Sequence, residues 1–273
     1  MTGVSSTLHP ALARGSVRVF AHRGGAGLAP ENTLAAFDRG LALGADGLEL
    51  DIRLSRDGVV VAHHDATLDR TTDGTGPVAD RTADELARAD AGHRFGADGG
   101  FPFRGQGFGV PRLREVLARY PSVPMIIEMK VDSADLAERA IADIRAAGAA
   151  GHVALGSFEQ RVLDSARGCA PDIPTGASTD EVRWALWRAR LFWPIRRTPY
   201  RLLQVPEVRR GTRVVSPRFV RAAHGANLPV QVWTVDREDD MRRLLDWGID
   251  ALITDRPDLA VRIVKERGMR NEE

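Results

Sequence analysis

Residues 47–65 read GLELDIRLSRDGVVVAHHD, and the alternation in their first half decides the fold. Leu48, Leu50, Ile52 and Leu54 point one way and Glu49, Asp51 and Arg53 the other, the period of a β-strand. The next run, residues 59–62, is wholly apolar, and the helical segments on either side need a sheet to pack on. The polar face of the first strand is therefore expected to line a barrel mouth rather than meet bulk water. The turn Ser55-Arg56-Asp57-Gly58 is too short for a parallel crossover, so the two runs should form a hairpin.

Working outward, residues 21–37 read AHRGGAGLAPENTLAAF: a short β-rich run at 16–21, a glycine loop, then a helix over 34–43. Asn32 or Thr33 is its N-cap and Gly44 lies beyond its end. Residues 66–110 are rich in Asp, Gly and Thr and hold one helical piece near 82–89. They are expected to be an insertion over the active mouth rather than a separate domain. From Pro111 the strand–helix rhythm resumes to the end of the chain, with PMIIEMK at 124–130, short runs at 173–177 and 213–215, and LPVQVWTV at 228–235 among the strand candidates. The strand candidates outnumber eight places, so one or two must lie outside. The alternation argues for an α/β fold, a single (β/α)8-type barrel, and residues 1–273 are expected to form one domain.

Composition narrows the function. The chain has 273 residues and a net charge of +1 with acidic and basic residues interspersed, which gives no global argument for nucleic acid or for a bulk anionic surface. One cysteine, Cys169, excludes an internal disulfide. Residues 1–20 hold no apolar run long enough for a signal peptide, and no window reaches the roughly 18 apolar residues of a membrane span. A cytoplasmic protein is the expectation. Of 38 basic residues only Lys130 and Lys265 are lysines, which makes Lys130 informative.

In such barrels the active site lies at the C-terminal strand ends. His22, Glu49, Asp51, His64, Glu128, Lys130 and Trp233 all fall at or near them. Three carboxylates, Glu49, Asp51 and Glu128, would repel one another in a barrel mouth unless a cation sits among them, and all-oxygen ligation favours Mg²⁺ or Ca²⁺. The bland reading makes them salt-bridge partners of Arg23, Arg53 and Lys130. His22 and His64 suit a general acid and base in phosphodiester cleavage. Arg23, Lys130 and the open backbone N–H groups of the glycine loop suit a phosphate. His63 should point to the opposite side of its strand, as a structural hydrogen-bonder; His9, His93, His152 and His224 receive no role.

HRGGAGLAPENTLAAF at 22–37, GLELDIRLSRDGVVVAHHDATLDRTT at 47–72, IEMK at 127–130 and VWTVD…WGIDALITDRP at 232–257 together resemble the glycerophosphodiester phosphodiesterase family. The motifs span most of the chain in the family's order. The resemblance implies a TIM (β/α)8 barrel with a small insertion after the third strand, related to phosphatidylinositol-specific phospholipase C enzymes, and divalent-metal-dependent release of sn-glycerol 3-phosphate and an alcohol. By position it makes Glu49, Asp51 and Glu128 metal ligands, His22 and His64 the acid/base pair, and Arg23 and Lys130 phosphate contacts. Trp233 stands where the family places an aromatic near the glycerol moiety, although a strand-end aromatic equally suits the core. The attacking oxygen is either water or the glycerol 2-hydroxyl.

Substrate presentation turns on residues 183–200, RWALWRARLFWPIRRTPY, where Trp184, Trp187 and Leu191 share one helical face. The first reading packs that face on the core. The second makes it a peripheral membrane contact, which would suit a lysophospholipase D. An enolase-type lyase has no need of the histidine pair, and a catalytically inactive binding module would be expected to have lost a histidine or a ligand.

Overall fold

The computed structural model describes residues 14–272 together with His9 and Leu12, so the expectation about a signal peptide falls largely outside the described residues. The barrel opens with β1 (Arg18–His22), α1 (Leu34–Ala42) and β2 (Gly47–Leu54), followed by β3 (Val60–Ala62). Beyond residues 66–110, which include α2 (Ala83–Arg88), come α3 (Leu113–Arg119), β4 (Met125–Met129), α4 (Ala134–Ala146), β5 (Val153–Gly156), α5 (Gln160–Cys169) and α6 (Thr179–Arg190). The last third holds β6 (Leu203–Pro206), a hairpin of β7 (Val208–Arg209) and β8 (Thr212–Arg213), α7 (Pro217–His224), β9 (Val230–Trp233), α8 (Glu238–Asp246), β10 (Ala251–Thr254) and α9 (Pro257–Glu272).

The sheet runs β5-β4-β2-β1-β10-β9-β6, and its neighbours along that path are parallel. Two single parallel bridges, Leu155 with Thr175 and Gly176 with Leu202, join β5 to the start of β6 and close the ring. The strand expected at 173–177 is reduced to that stave. The run expected at 213–215 contributes only to the β7–β8 hairpin, outside the barrel. β3 folds back antiparallel on β2, as the short turn requires.

Phe20, Ile126, Ala251 and Ile253 form a buried cluster against Trp233. His22 and Glu128 stand two residues beyond Phe20 and Ile126, one layer nearer the mouth on the same strand face. Outside the sheet the core has two clusters. One joins β2, β4 and β5 to α1 and α3–α5; the other joins β6, β9 and β10 to α6–α9. β1 feeds both, through Ala21 and Val19. Leu68, Val78, Leu86 and Val110 of the 66–110 segment pack with Val61 of β3 in a small separate cluster.

α6 departs from the first of its two readings. Its buried side chains are Ala185 and Ala189, whereas Trp184, Trp187 and Leu191 are 44%, 50% and 43% exposed. The helix meets its neighbours on Ala185 and Ala189, with Val182 and Leu186 partly buried against the same cluster, and the bulky face that the first reading put in the core points outward. Residues 191–200 are not helical. Among the described residues no helix is long and apolar enough to cross a membrane.

Candidate active site

Strand register assembles the site. His22 of β1 lies beside Glu49 of β2, and Asp51 of β2 beside Glu128 of β4. The β2–β3 hairpin returns the chain so that the His63 N–H donates to the Asp51 carbonyl, and His64 follows over the same mouth. A cavity of about 290 Å³ is lined by His22, Arg23, Glu49, His64, Glu128, Lys130 and Trp233. Every residue singled out from the sequence except Asp51 lines it, and Asp51 lies fully buried among them.

One oxygen each from Glu49, Asp51 and Glu128 falls within 4.8 Å of the others. Burial and the neighbouring Asp51 carboxylate push Glu49 up to about 8. Burial likewise raises Glu128. Burial also opposes charge on Asp51, but Lys130 and Arg23 outweigh it and hold Asp51 below the ordinary carboxylate range. The Lys130 ammonium sits 3.0 Å from Asp51 and 2.7 Å from Glu128. Three converging carboxylates, two of them reluctant to ionise without more positive charge, fit a hard divalent cation. The bland reading is also partly realised, since Arg23 and Lys130 pair with Asp51.

Each histidine is anchored by a carboxylate. His22 Nδ1 lies 2.6 Å from Asp255 Oδ1, and its Nε2 is 3.9 Å from Glu49. Burial pushes the His22 imidazole down, yet Glu49 and Asp255 outweigh it and leave it above its ordinary value. His64 Nδ1 lies 2.6 Å from Asp65 Oδ1, and burial holds that imidazole below its ordinary value against the pull of Asp51 and Asp65. His63 contacts the Thr67 carbonyl at 3.1 Å, the structural hydrogen bond expected of it.

A chain of ion pairs links the two sides: Asp65 to Arg70, Arg70 to Glu31, Glu31 to Arg23, and Arg23 to Asp51. Thr33 caps α1, accepting from the Ala36 N–H. Asn32 instead takes a left-handed φ of 57° and grips Asp51 twice. Its amide donates to Oδ2 at 3.0 Å, and its carbonyl accepts from the Asp51 N–H at 3.1 Å. Asp255, Asp65, Glu31, Arg70 and this use of Asn32 were not assigned from the sequence. Asp65 and Asp255 do stand in the quoted HHD and ITDRP motifs. Trp233 packs at 5.7 Å from Phe158 and forms one wall.

A family model described as "Glycerophosphoryl diester phosphodiesterase family" matches residues 22–259. A glycerophosphodiester phosphodiesterase of Caldanaerobacter subterraneus subsp. tengcongensis is 33% identical over 259 residues, 92% of this chain and 98% of that protein. The crystal structure of glycerophosphodiester phosphodiesterase from Agrobacterium tumefaciens is 31% identical with a TM-score of 0.71, covering 89% of this chain and 98% of that one. An Oleispira antarctica phosphodiesterase in complex with the product sn-glycerol-3-phosphate is 26% identical with a TM-score of 0.73, covering 91% and 96%. With two carboxylate-anchored histidines and three converging carboxylates at the mouth of a closed barrel, this chain belongs to the glycerophosphoryl diester phosphodiesterase family and is an enzyme of that class.

Proposed function

We propose that the chain, working as one catalytic domain with residues 66–110 inserted in it, hydrolyses glycerophosphodiesters to sn-glycerol 3-phosphate and an alcohol. Glu49, Asp51 and Glu128 hold one divalent cation, Mg²⁺ or Ca²⁺. When bound, that cation neutralises phosphoryl charge and favours deprotonation of the attacking oxygen. Asp255 and Asp65 occupy Nδ1 of His22 and His64, which leaves each Nε2 free for the substrate. One imidazole takes the proton from the attacking oxygen and the other returns one to the departing alcohol. Arg23 and Lys130 bring positive charge to the phosphate, and Trp233 supplies an apolar wall for the glycerol.

The observation that carries this reading is the convergence of three carboxylate oxygens within 4.8 Å in a cavity bounded by both histidines. The Oleispira antarctica relative, solved with sn-glycerol-3-phosphate, supports the product. The test is glycerol 3-phosphate release from glycerophosphocholine with Mg²⁺, with Ca²⁺ and with EDTA. Release that persists undiminished in EDTA sinks the cation, and near-normal turnover by His22→Ala or His64→Ala sinks the proton-transfer pair.

A further inference from the structure

Beside the site, a second cavity of about 300 Å³ runs from Glu128 and Trp233 past Phe158 to Val182, Leu186 and Val214. Arg183, Arg209 and Arg210 also line it. The space beyond the carboxylates thus has an apolar side, with Ser178, Thr179, Gln204 and Thr212 among its other lining residues, and is bordered by cations.

α6, whose Val182, Arg183 and Leu186 line that cavity, also carries an uncovered surface. The β7–β8 hairpin rises from the C-terminal end of β6, the end at which the site lies, and the end of α6 meets it. Arg190 donates to the Arg213 carbonyl, and Arg218 to the Arg190 carbonyl. Around this corner Trp184, Trp187, Leu191, Phe192 and Trp193 are exposed, Phe192 by 76%. Trp187 and Trp193 meet edge to face at 5.1 Å. The Arg188 guanidinium lies 4.4 Å from the Trp184 ring, and that of Arg218 3.9 Å from the Phe192 ring.

Charge is segregated here in a chain that is nearly neutral overall. Residues 182–235 contain eleven arginines and one acidic residue, Glu207, which Arg213 and Arg243 both engage. Contiguous exposed aromatics mark a docking surface rather than a solvated face. Asp180 and Glu181 at the start of α6 lie just outside that stretch, and Asp180 pairs with Arg183. Aromatics interleaved with the arginines that remain match a lipid interface, rings at the acyl boundary and guanidinium groups at headgroup phosphates.

We propose that this corner, α6 with residues 191–200 and the β7–β8 hairpin, docks the enzyme on an anionic bilayer, and that the adjoining cavity takes the single chain of a lysophospholipid lifted from it. The substrate half of this proposal rests on the phosphodiesterase reading above; the docking half does not. In the reaction, water adds across the phosphodiester. The P–O bond to the headgroup alcohol breaks, the phosphate stays on the glycerol, and choline leaves with its hydroxyl when lysophosphatidylcholine is the substrate.

The test pairs vesicle sedimentation with choline release, using the full chain and a Trp187→Ala/Phe192→Ala double variant. Both positions are exposed and outside the site, so the variant should match the parent on soluble glycerophosphocholine. The parent should pellet with phosphatidylglycerol-containing vesicles at low salt, and far less with phosphatidylcholine alone or at 1 M salt. The variant should bind the anionic vesicles roughly tenfold more weakly and lose choline release from vesicle-borne lysophosphatidylcholine in proportion. No parental binding at low salt, or binding indifferent to the two substitutions, overturns the docking surface. Vesicle binding without lysophosphatidylcholine turnover, while glycerophosphocholine is cleaved, overturns the role of the second cavity. Inactivity on both substrates overturns the phosphodiesterase reading and leaves the sedimentation result to judge docking alone.

Discussion

Asp255→Asn isolates what the carboxylate behind His22 does. The substitution keeps shape and volume, and it leaves the backbone bonds at that position, from Gly27 N–H and to Asp236, in place. What it removes is the charge 2.6 Å from His22 Nδ1. A hydrogen bond to a charged group contributes about 1.5–3 kcal/mol, so kcat should fall roughly ten- to a hundred-and-fifty-fold. An asparagine amide can also donate to Nδ1 and so select the wrong tautomer, which deepens the loss. The carboxylates of Glu49 and Asp255 are what lift the His22 imidazole against burial. Removing one lowers that imidazole's pKa, so the limb of the pH–rate profile that reports His22 should move to lower pH. The assay is steady-state glycerol 3-phosphate release across pH, with thermal unfolding as the control for folding. A rate within about twofold of the parent and an unmoved profile would refute the assignment of Asp255 as the residue that orients His22.

Without a cation Glu49 titrates near 8, so cation binding below that pH must expel a proton. Affinity should rise about tenfold per pH unit towards pH 8 and then flatten, and calorimetric affinities constant between about pH 6 and 8 would contradict this. Lys130→Met removes the ammonium between Asp51 and Glu128. It should leave cation affinity undiminished while kcat/KM drops roughly a hundredfold; a matching loss of cation affinity would mean that Lys130 organises the carboxylates instead. Asn32→Ala strips both contacts from buried Asp51 and places alanine at a left-handed φ. Denaturant unfolding should show a loss of about 2–4 kcal/mol, and a change below about 1 kcal/mol would count against the clamp.

Much of this site was legible because a strand's period of two turns spacing into direction. Glu49 and Asp51, then Glu128 and Lys130, share strand faces by spacing alone, and the short turn after Leu54 was enough to foresee the hairpin that carries His64 back. The scarcity of lysine marked Lys130. Asp255 carried no such mark, since it meets His22 across 233 residues and only barrel closure brings them together. Asp65 was hidden differently. Adjacent side chains usually diverge, and Asp65 reaches back to His64 only because the chain has left β3. On α6 the spacing of Trp184, Trp187 and Leu191 marked a face and left open whether it packs inward or faces out, and the structure leaves it exposed. Periodicity identifies a stripe, but which stripe is buried depends on how the neighbouring elements approach, and here the inner stripe is Val182, Ala185, Leu186 and Ala189.

The division of the outer core into two clusters meeting at β1 separates two properties of this enzyme. The three candidate cation ligands and Lys130 stand on β2 and β4, in the first cluster's half of the barrel, whereas Trp233 and Asp255 belong to the second half. Substitutions that accumulate around β6, β9 and β10 can therefore shift the aromatic wall and the support of His22 without altering ligand spacing. Such a chain would vary its choice of diester and its speed along a lineage while the spacing of its three carboxylates stayed constant.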